Sequence, residues 1–315
     1  MSSITNIPRK LVPIFVTILT VLFSIPVQAA PADQVPVSVT VTVLGEKNSP
    51  APAIPQEDVV VHSGNKVLKI TGWQPAQANT PAGQLQLAIL LDDNLGTTLI
   101  SQQLAELRDF ISLQAPGTLV GVFYAQHGSA YAAAPFTTDH AQAAQALRLT
   151  LGRAGESPSL YLSLEDLAKH WPAQTAARRE VLMIGSGNDP LNPGYVDPYL
   201  DDAIEQVQKA GLNVHALTVS SLRASISFRG DVSQGKMIQV AENSGGQSFG
   251  DELSAPVSLA PYLNELNRAL QNQYVLTVLI DRSNSRKGEL RPIEIRTEEH
   301  NVKIVAAHQV FVPGP

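Results

Sequence analysis

Residues 85–99 read LQLAILLDDNLGTTL, and this stretch decides how the rest of the chain is organised. From Leu85 to Leu91 only Gln86 is polar, the composition of a parallel strand covered on both faces. The run stops at two carboxylates, Asp92 and Asp93. Asn94, Gly96, Thr97 and Thr98 are turn and capping residues, and Ile100, Leu104, Leu107 and Ile111 then recur at the spacing of one helical face. The unit is strand, acidic loop, helix. In an open α/β sheet, ligands bind outside the carboxyl ends of the strands, so residues 92–98 are the first candidate site.

Upstream, Val37, Val39, Val41 and Val43 alternate with Ser38, Thr40 and Thr42, which predicts a half-buried strand of period two. Residues 59–61 and 67–70 flank Ser63-Gly64-Asn65, a hairpin signal. The segment QPAQANTPAG, residues 74–83, reads as a linker into the central strand.

Downstream, strands and helices alternate, which predicts a parallel sheet with right-handed crossovers. Strands are expected at 118–125, 181–184 and 212–219, with an antiparallel edge at 131–136. Helix faces are expected at Ala141, Ala144, Leu147 and Leu151, and at Leu160, Leu164, Leu167 and Trp171, the latter helix opened by residues 156–158 and ended by Pro172. A further helix is led by Asp197, Asp201 and Asp202 and closes at Gly211. A short one carries Met237, Ile238, Val240 and Ala241 before Gly245-Gly246, and the last carries Leu259, Leu263, Leu266 and Leu270. Residues 274–280, 290–295 and 302–306 return to the strand pattern. The predicted fold class is α/β, a doubly wound and mostly parallel sheet beside a small antiparallel β module made by the two flanking segments. The expected boundaries are 30–76 and 273–315 for that module and 84–272 for the sheet domain.

The 315 residues are 44% hydrophobic and 16% charged, an ordinary globular composition. Residues 1–29 are set aside as a signal peptide: Arg9 and Lys10 precede an apolar run, and Val27-Gln28-Ala29 places small residues where a signal peptidase cuts. The competing reading is an uncleaved anchor helix, with Pro13 and Pro26 against it. Export to the periplasm or beyond is the expectation. The chain has no Cys, which excludes a disulfide, a lipidated cysteine and a thiolate nucleophile or ligand. The formal net charge is −6, and −8 without Arg9 and Lys10. That balance excludes nucleic acid and anionic membrane surfaces as partners.

The order of an N-terminal β segment, LLDDNLGT, the loop MIGSGND, the strand NVHALTV, IQVAENSGGQSF and a closing NQYVLTV resembles bacterial exported proteins that contain a von Willebrand factor type A (VWA) related domain. The resemblance implies a doubly wound sheet and a metal-ion-dependent adhesion site on the pattern Asp-x-Ser-x-Ser, a Thr on a middle loop, and an Asp after the fourth strand. A hard cation such as Mg²⁺ or Ca²⁺ needs those oxygen ligands. Asp92 matches the first position. The two Ser positions fall on Asn94 and Gly96, the Thr position falls near Ser157 or Pro158, and the Asp position falls on Ser186, three residues before Asp189. Asp92, Asn94 and Asp189 are the candidate metal ligands, with Asp93 and water able to complete an octahedron. The set is degenerate, and the expectation is that no cofactor is required.

Other motifs point elsewhere less well. Gly185-Ser186-Gly187 lacks the G-x-S-x-G spacing of a nucleophile elbow, and no His is placed as its base. His62, His127, His140, His170, His215, His300 and His308 show no metal-ligand spacing. Arg229-Gly230-Asp231 is an RGD tripeptide, read as a loop after the strand ending at Val219. The function expected is a non-catalytic binding module that docks a protein or cell-envelope polymer at the carboxyl edge of the sheet, through Asp92, Asp93, Asn94, Gly96, Thr97, Ser157, Ser186, Asn188 and Asp189. A structural part of an envelope assembly and an enzyme of unknown reaction are the alternatives.

Overall fold

The computed structural model describes residues 34–46, 50–77, 80–151, 159–172, 176–219, 228–250 and 256–315. The signal segment 1–29 and residues 157–158 lie outside them.

Nine strands or strand fragments from the two flanks surround a sheet of six: β1 (Gln34–Gly45), β2 (Val59–Ser63), β3 (Lys66–Val67), β4 (Lys69–Pro75), then β5 (Leu85–Asp92), β6 (Leu119–Gln126), β7 (Ser129–Thr137), β8 (Arg178–Gly185), β9 (Asn213–Thr218) and β10 (Ser248–Phe249), and finally β11 (Gln273–Asp281), β12 (Glu289–Pro292), β13 (Glu294–Thr297), β14 (Val302–Val305) and β15 (Gln309–Val312) among the described residues. The six-stranded sheet runs in the order β10-β9-β8-β5-β6-β7. All its pairs are parallel except β6 with β7. Its helices are α1 (Thr97–Ile100), α2 (Leu104–Ser112), α3 (His140–Gln145), α4 (Leu160–Lys169), α5 (Pro198–Ala210), α6 (Phe228–Ser244) and α7 (Ala260–Gln271).

The strand that opened the reading is central, and every residue of β5 is buried. Its side chains alternate between two cores. Leu87, Ile89 and Leu91 pack with Leu107 and Ile111 of α2 and Leu263 and Leu266 of α7. Ala88 and Leu90 pack with Leu164 of α4, Val207 of α5 and Val240 of α6. Covering both faces is what a continuous apolar run requires, and each fully buried Leu contributes about 1.5–3 kcal/mol.

The flanks make the antiparallel module. β1 pairs with β11 along nine residues and with β14 on its other side, and β4 completes the order β14-β1-β11-β4. Val37, Val39, Val41 and Val43 share a third core with Leu276, Val278 and Ile280. Thr42 is fully buried as well, because the end of β1 lies against the central domain, and its hydroxyl oxygen accepts from Gln273 Nε2.

Several local expectations are corrected. The helix after β5 is two pieces, α1 and α2, yet Ile100, Leu104, Leu107 and Ile111 all reach the core. α3 stops at Gln145, and Leu151 is 72% exposed, because residues 148–151 leave the helix to bind the Asp93 carboxylate. Trp171 lies past the end of α4 and donates Nε1 to Gln86 Oε1 at 3.0 Å. The helix expected around Met237 is 17 residues long, so Gly230 and Asp231 sit in its first turn and the RGD tripeptide is helical, not a loop. Residues 290–295 are split between β12 and β13, which join different sheets. Gln74 and Pro75, expected in the linker, end β4.

Candidate functional site

The loops at the carboxyl ends of β5 and β8 come together because two glycines allow it. A Cβ on Gly185 would stand 2.6 Å from Leu160 Cδ2 and 3.3 Å from Asp92 Cβ. Gly187 adopts φ +69°, and a Cβ there would meet Ser233 O at 2.4 Å. The Gly-Ser-Gly stretch is a close backbone approach.

Asp92 and Asp93 are both buried, with 6% and 3% exposure, and they meet different fates. Asp92 Oδ1 accepts from the Asn94 backbone N–H and from Asn94 Nδ2, each at 3.0 Å, forming an Asx turn. Burial is the largest influence on its carboxyl and raises its pKa above the ordinary value, against the Asn94 and Ser186 hydrogen bonds that lower it. Asp93 is clamped. Arg148 Nη1 donates to Oδ1 at 2.8 Å and Nη2 to Oδ2 at 3.1 Å, Leu151 N–H donates to Oδ1 at 3.0 Å, and Gln126 Nε2 donates to Oδ2. Burial lifts this carboxyl too, but the donors from Arg148, Gln126 and Leu151 outweigh it and hold its pKa below the ordinary value. The guanidinium stacks 3.8 Å from the centre of the Tyr124 ring, and Tyr124 OH accepts from Arg148 N–H at 2.7 Å.

The second loop has a set of its own, in which Asp189 Oδ2 is buried without a hydrogen-bond partner. Asp189 is 2% exposed, and its Oδ1 accepts from Leu191 N–H at 2.9 Å and Asn192 N–H at 3.4 Å. Asp197 caps α5 through Oδ1, accepting from Tyr199 and Leu200. Its Oδ2 takes the Lys236 ammonium at 2.7 Å, and Lys236 Nζ also reaches Asn192 O at 2.5 Å. Lys236 is 3% exposed, so this is a buried ion pair stapling α6 to the loop. Tyr161 OH donates to Gly187 O at 3.2 Å, and its pKa is driven well above the usual value, first by burial and then by Asp197, Asp189 and Asp92. Ser186 Oγ accepts from Asn188 N–H at 3.2 Å.

The structure brings Asp92, Asn94, Ser186 and Asp189 to one edge of the sheet. Gly96 offers no side chain, and Asn94 donates Nδ2 to Asp92. Asp93 is enclosed by four donors, which removes it from the binding set, and Ser157 lies outside the described residues. Among the described residues no three of His, Cys, Asp and Glu are grouped to hold a metal ion. Asn188 and Thr97 are exposed at the same edge.

Sequence reasoning missed Arg148, Gln126, Tyr161 and Lys236. Lys236 had a signal. It falls in the stripe Val232, Ser233, Lys236, Met237, Val240, Ala241, Ser244, where the helical repeat calls for an apolar residue.

No protein-family model matches the chain, and neither does any curated relative. Solved structures do. An aerotolerance-related membrane protein from Bacteroides fragilis NCTC 9343 is 15% identical, with 59% of this chain and 98% of that one covered at a TM-score of 0.41. The ArnB paralog VWA2 from Sulfolobus acidocaldarius is 8% identical over 90% and 76%, with a TM-score of 0.39. Structural neighbours of this chain are VWA-domain proteins. The pilus adhesin SpaC from Lactobacillus rhamnosus GG is another neighbour, 9% identical over 85% of this chain and 49% of that one, with a TM-score of 0.45.

Proposed function

We propose that the chain is an exported, non-catalytic interaction module of the cell envelope that docks a protein or polymer at the carboxyl edge of its central sheet without a divalent cation. The observation behind this reading is where the exposed apolar side chains lie. Leu149, Leu151, Leu191, Tyr195 and Val196 are 46–85% exposed on loops at that edge, beside carboxylates mostly engaged by donors of their own chain, Asp189 Oδ2 excepted. Apolar side chains held out on a rigid floor suit recognition by contact, whereas acids spent on internal hydrogen bonds do not suit recognition through an ion.

The test is capture from envelope extract by the mature protein, with and without chelator, joined to melting curves in millimolar Mg²⁺, Mn²⁺ or Ca²⁺. The expected result is capture indifferent to chelator and weakened by Val196→Asp, Asn188→Arg or Thr97→Arg, each of which leaves the melting temperature near that of the parent. An ion bound at 100 times its dissociation constant would stabilise the fold by about 2.7 kcal/mol. A rise of that size, lost in Asp92→Ala, together with capture abolished by chelator, would overturn the reading.

A further inference from the structure

At the amino end of the central sheet, away from the carboxyl-edge loops, the β module and the sheet domain leave a cavity of about 280 Å³. It lies between residues 36–40 of β1, residues 309–311 of β15, residues 208–213 where α5 turns into β9, and Arg179 of β8. Pockets for small molecules form at such junctions, and about 300–1,000 Å³ is their usual range.

Arg179 is half-buried in the wall of this cavity. Its Nη1 donates to Ala210 O, the last residue of α5, and that is its whole hydrogen bonding among the described residues. Nε is buried without a partner. Burial lowers the pKa of the guanidinium, and no carboxylate acts against that fall. Gly211, which closes α5 at φ +59°, keeps the group uncovered: a Cβ there would touch Nη1 and Nη2 at 3.6 Å. Lys209 is the second base in the lining, exposed and paired with Glu205 one helical turn earlier. Neither Glu205 nor any other acid lines the cavity. Capping the end of α5 uses one N–H of Arg179 and leaves the others, Nε–H among them, without an acceptor; a buried donor left in that state costs stability.

We propose that this cavity binds a small organic carboxylate, its acid group held by Arg179 and its apolar body lying against β1 and β15. The lining chooses the ligand. A guanidinium takes a carboxylate through two parallel N–H···O bonds, and Arg179 still has the donors for them. An inorganic ion would leave the apolar lining residues Val37, Leu212, Val310 and Phe311 without a contact, and a neutral molecule would leave the guanidinium without a counter-charge.

The probes are hexanoate, its neutral analogue hexanamide and inorganic phosphate, each titrated into the full chain by calorimetry while the Arg179 Nε–H resonance is followed by NMR. The expected result is a saturable shift of that resonance with hexanoate, and binding about tenfold weaker for hexanamide and for phosphate. Arg179→Gln should abolish hexanoate binding, and Arg179→Lys, which keeps the charge without the fork, should weaken it about tenfold. Lys209→Gln, at an exposed position, should weaken it about threefold with the fold intact. Should Arg179→Gln fail to fold, the resonance shift in the parent and the loss in Lys209→Gln decide instead. No shift up to about 10 mM hexanoate, equal binding of hexanoate and hexanamide, or hexanoate binding unchanged in folded Arg179→Gln would overturn the proposal. Phosphate bound more tightly than hexanoate would also overturn it, in favour of an inorganic ion.

Discussion

The two ends of the central sheet both bury charge, but they do so differently. At the carboxyl end, Asp92, Asp189 and Asp197 are mostly satisfied by residues two or three positions along the chain. At the amino end, a buried network is assembled from the whole length of the molecule. His215 Nε2 and Glu180 Oε2 are 2.9 Å apart with both side chains fully buried, and Gln247 N–H donates to His215 Nδ1 at 3.2 Å, which leaves the proton on Nε2. Gln273 Nε2 donates to Glu180 Oε1 at 2.9 Å, and its Oε1 accepts from Arg178 Nη1 at 2.7 Å. Arg178 also reaches Leu270 O and Gly83 O, each at 2.8 Å. Local turns shape a loop, whereas long-range networks fix how layers sit on one another. The carboxyl end is thus free to present side chains, and the amino end is the joint between the sheet and the β module.

The contrast breaks most sharply if the joint is cut. Glu180→Ala leaves Gln273, His215 and Asn213 facing a lost acceptor and should cost about 3–5 kcal/mol, read by urea denaturation. A cost under about 1 kcal/mol would mean that the network does not hold the layers together.

Arg148→Ala at the other end should cost less, about 1–3 kcal/mol, because the side chain is 30% exposed and water can replace part of the clamp. This loss should depend on pH with a definite sign. The folded pKa of Asp93 lies below its ordinary 3.8, so the clamp's contribution is complete above that value and disappears as pH falls through the depressed one. The parent and Arg148→Ala should therefore converge in acid; a constant gap down to low pH would rule the carboxylate out as the source.

The smallest effect is expected for Asp92→Asn. The folded pKa of Asp92 lies above 3.8, so the group's contribution falls as pH rises through the raised value, and its ionisation at neutral pH costs stability. Asparagine keeps an oxygen for the Asn94 turn without the charge, so the variant should melt at or slightly above the parent at neutral pH. A clear drop would restore Asp92 as a group that needs its charge, and with it the case for an ion.

How much of this was legible in the sequence follows the same division. The buried strand ending at Asp92, the Asp197 cap, the closing Gly211 and the hairpin at Gly64 were readable because their causes are local: a run of apolar residues, an oxygen before a helix, a positive φ. The pairing of the two flanks followed from their shared strand pattern. The Arg148 clamp was not readable, because 55 residues separate its two ends and its effect was to end a helix whose apolar spacing ran on to Leu151. His215 is a polar residue inside the expected strand 212–219, but Glu180 lies one residue before the expected strand 181–184, and nothing in the spacing joins either to Gln273. Lys236 broke an apolar stripe, which was a usable sign that went unread.

The pairing of β1 with β11 carries a consequence for how the molecule is made. Thr42 and Gln273 touch although they stand 231 positions apart, so the strands that flank β1 come from the far end of the chain. A valine-rich strand with both edges open is a sticky intermediate, and loop closure over that span is slow. The β module closes only when β11 and β14 are brought back to β1. Until Gln273 and the strands around it are in place, the first strand lacks both of the strands it pairs with, and its edges are open to other chains.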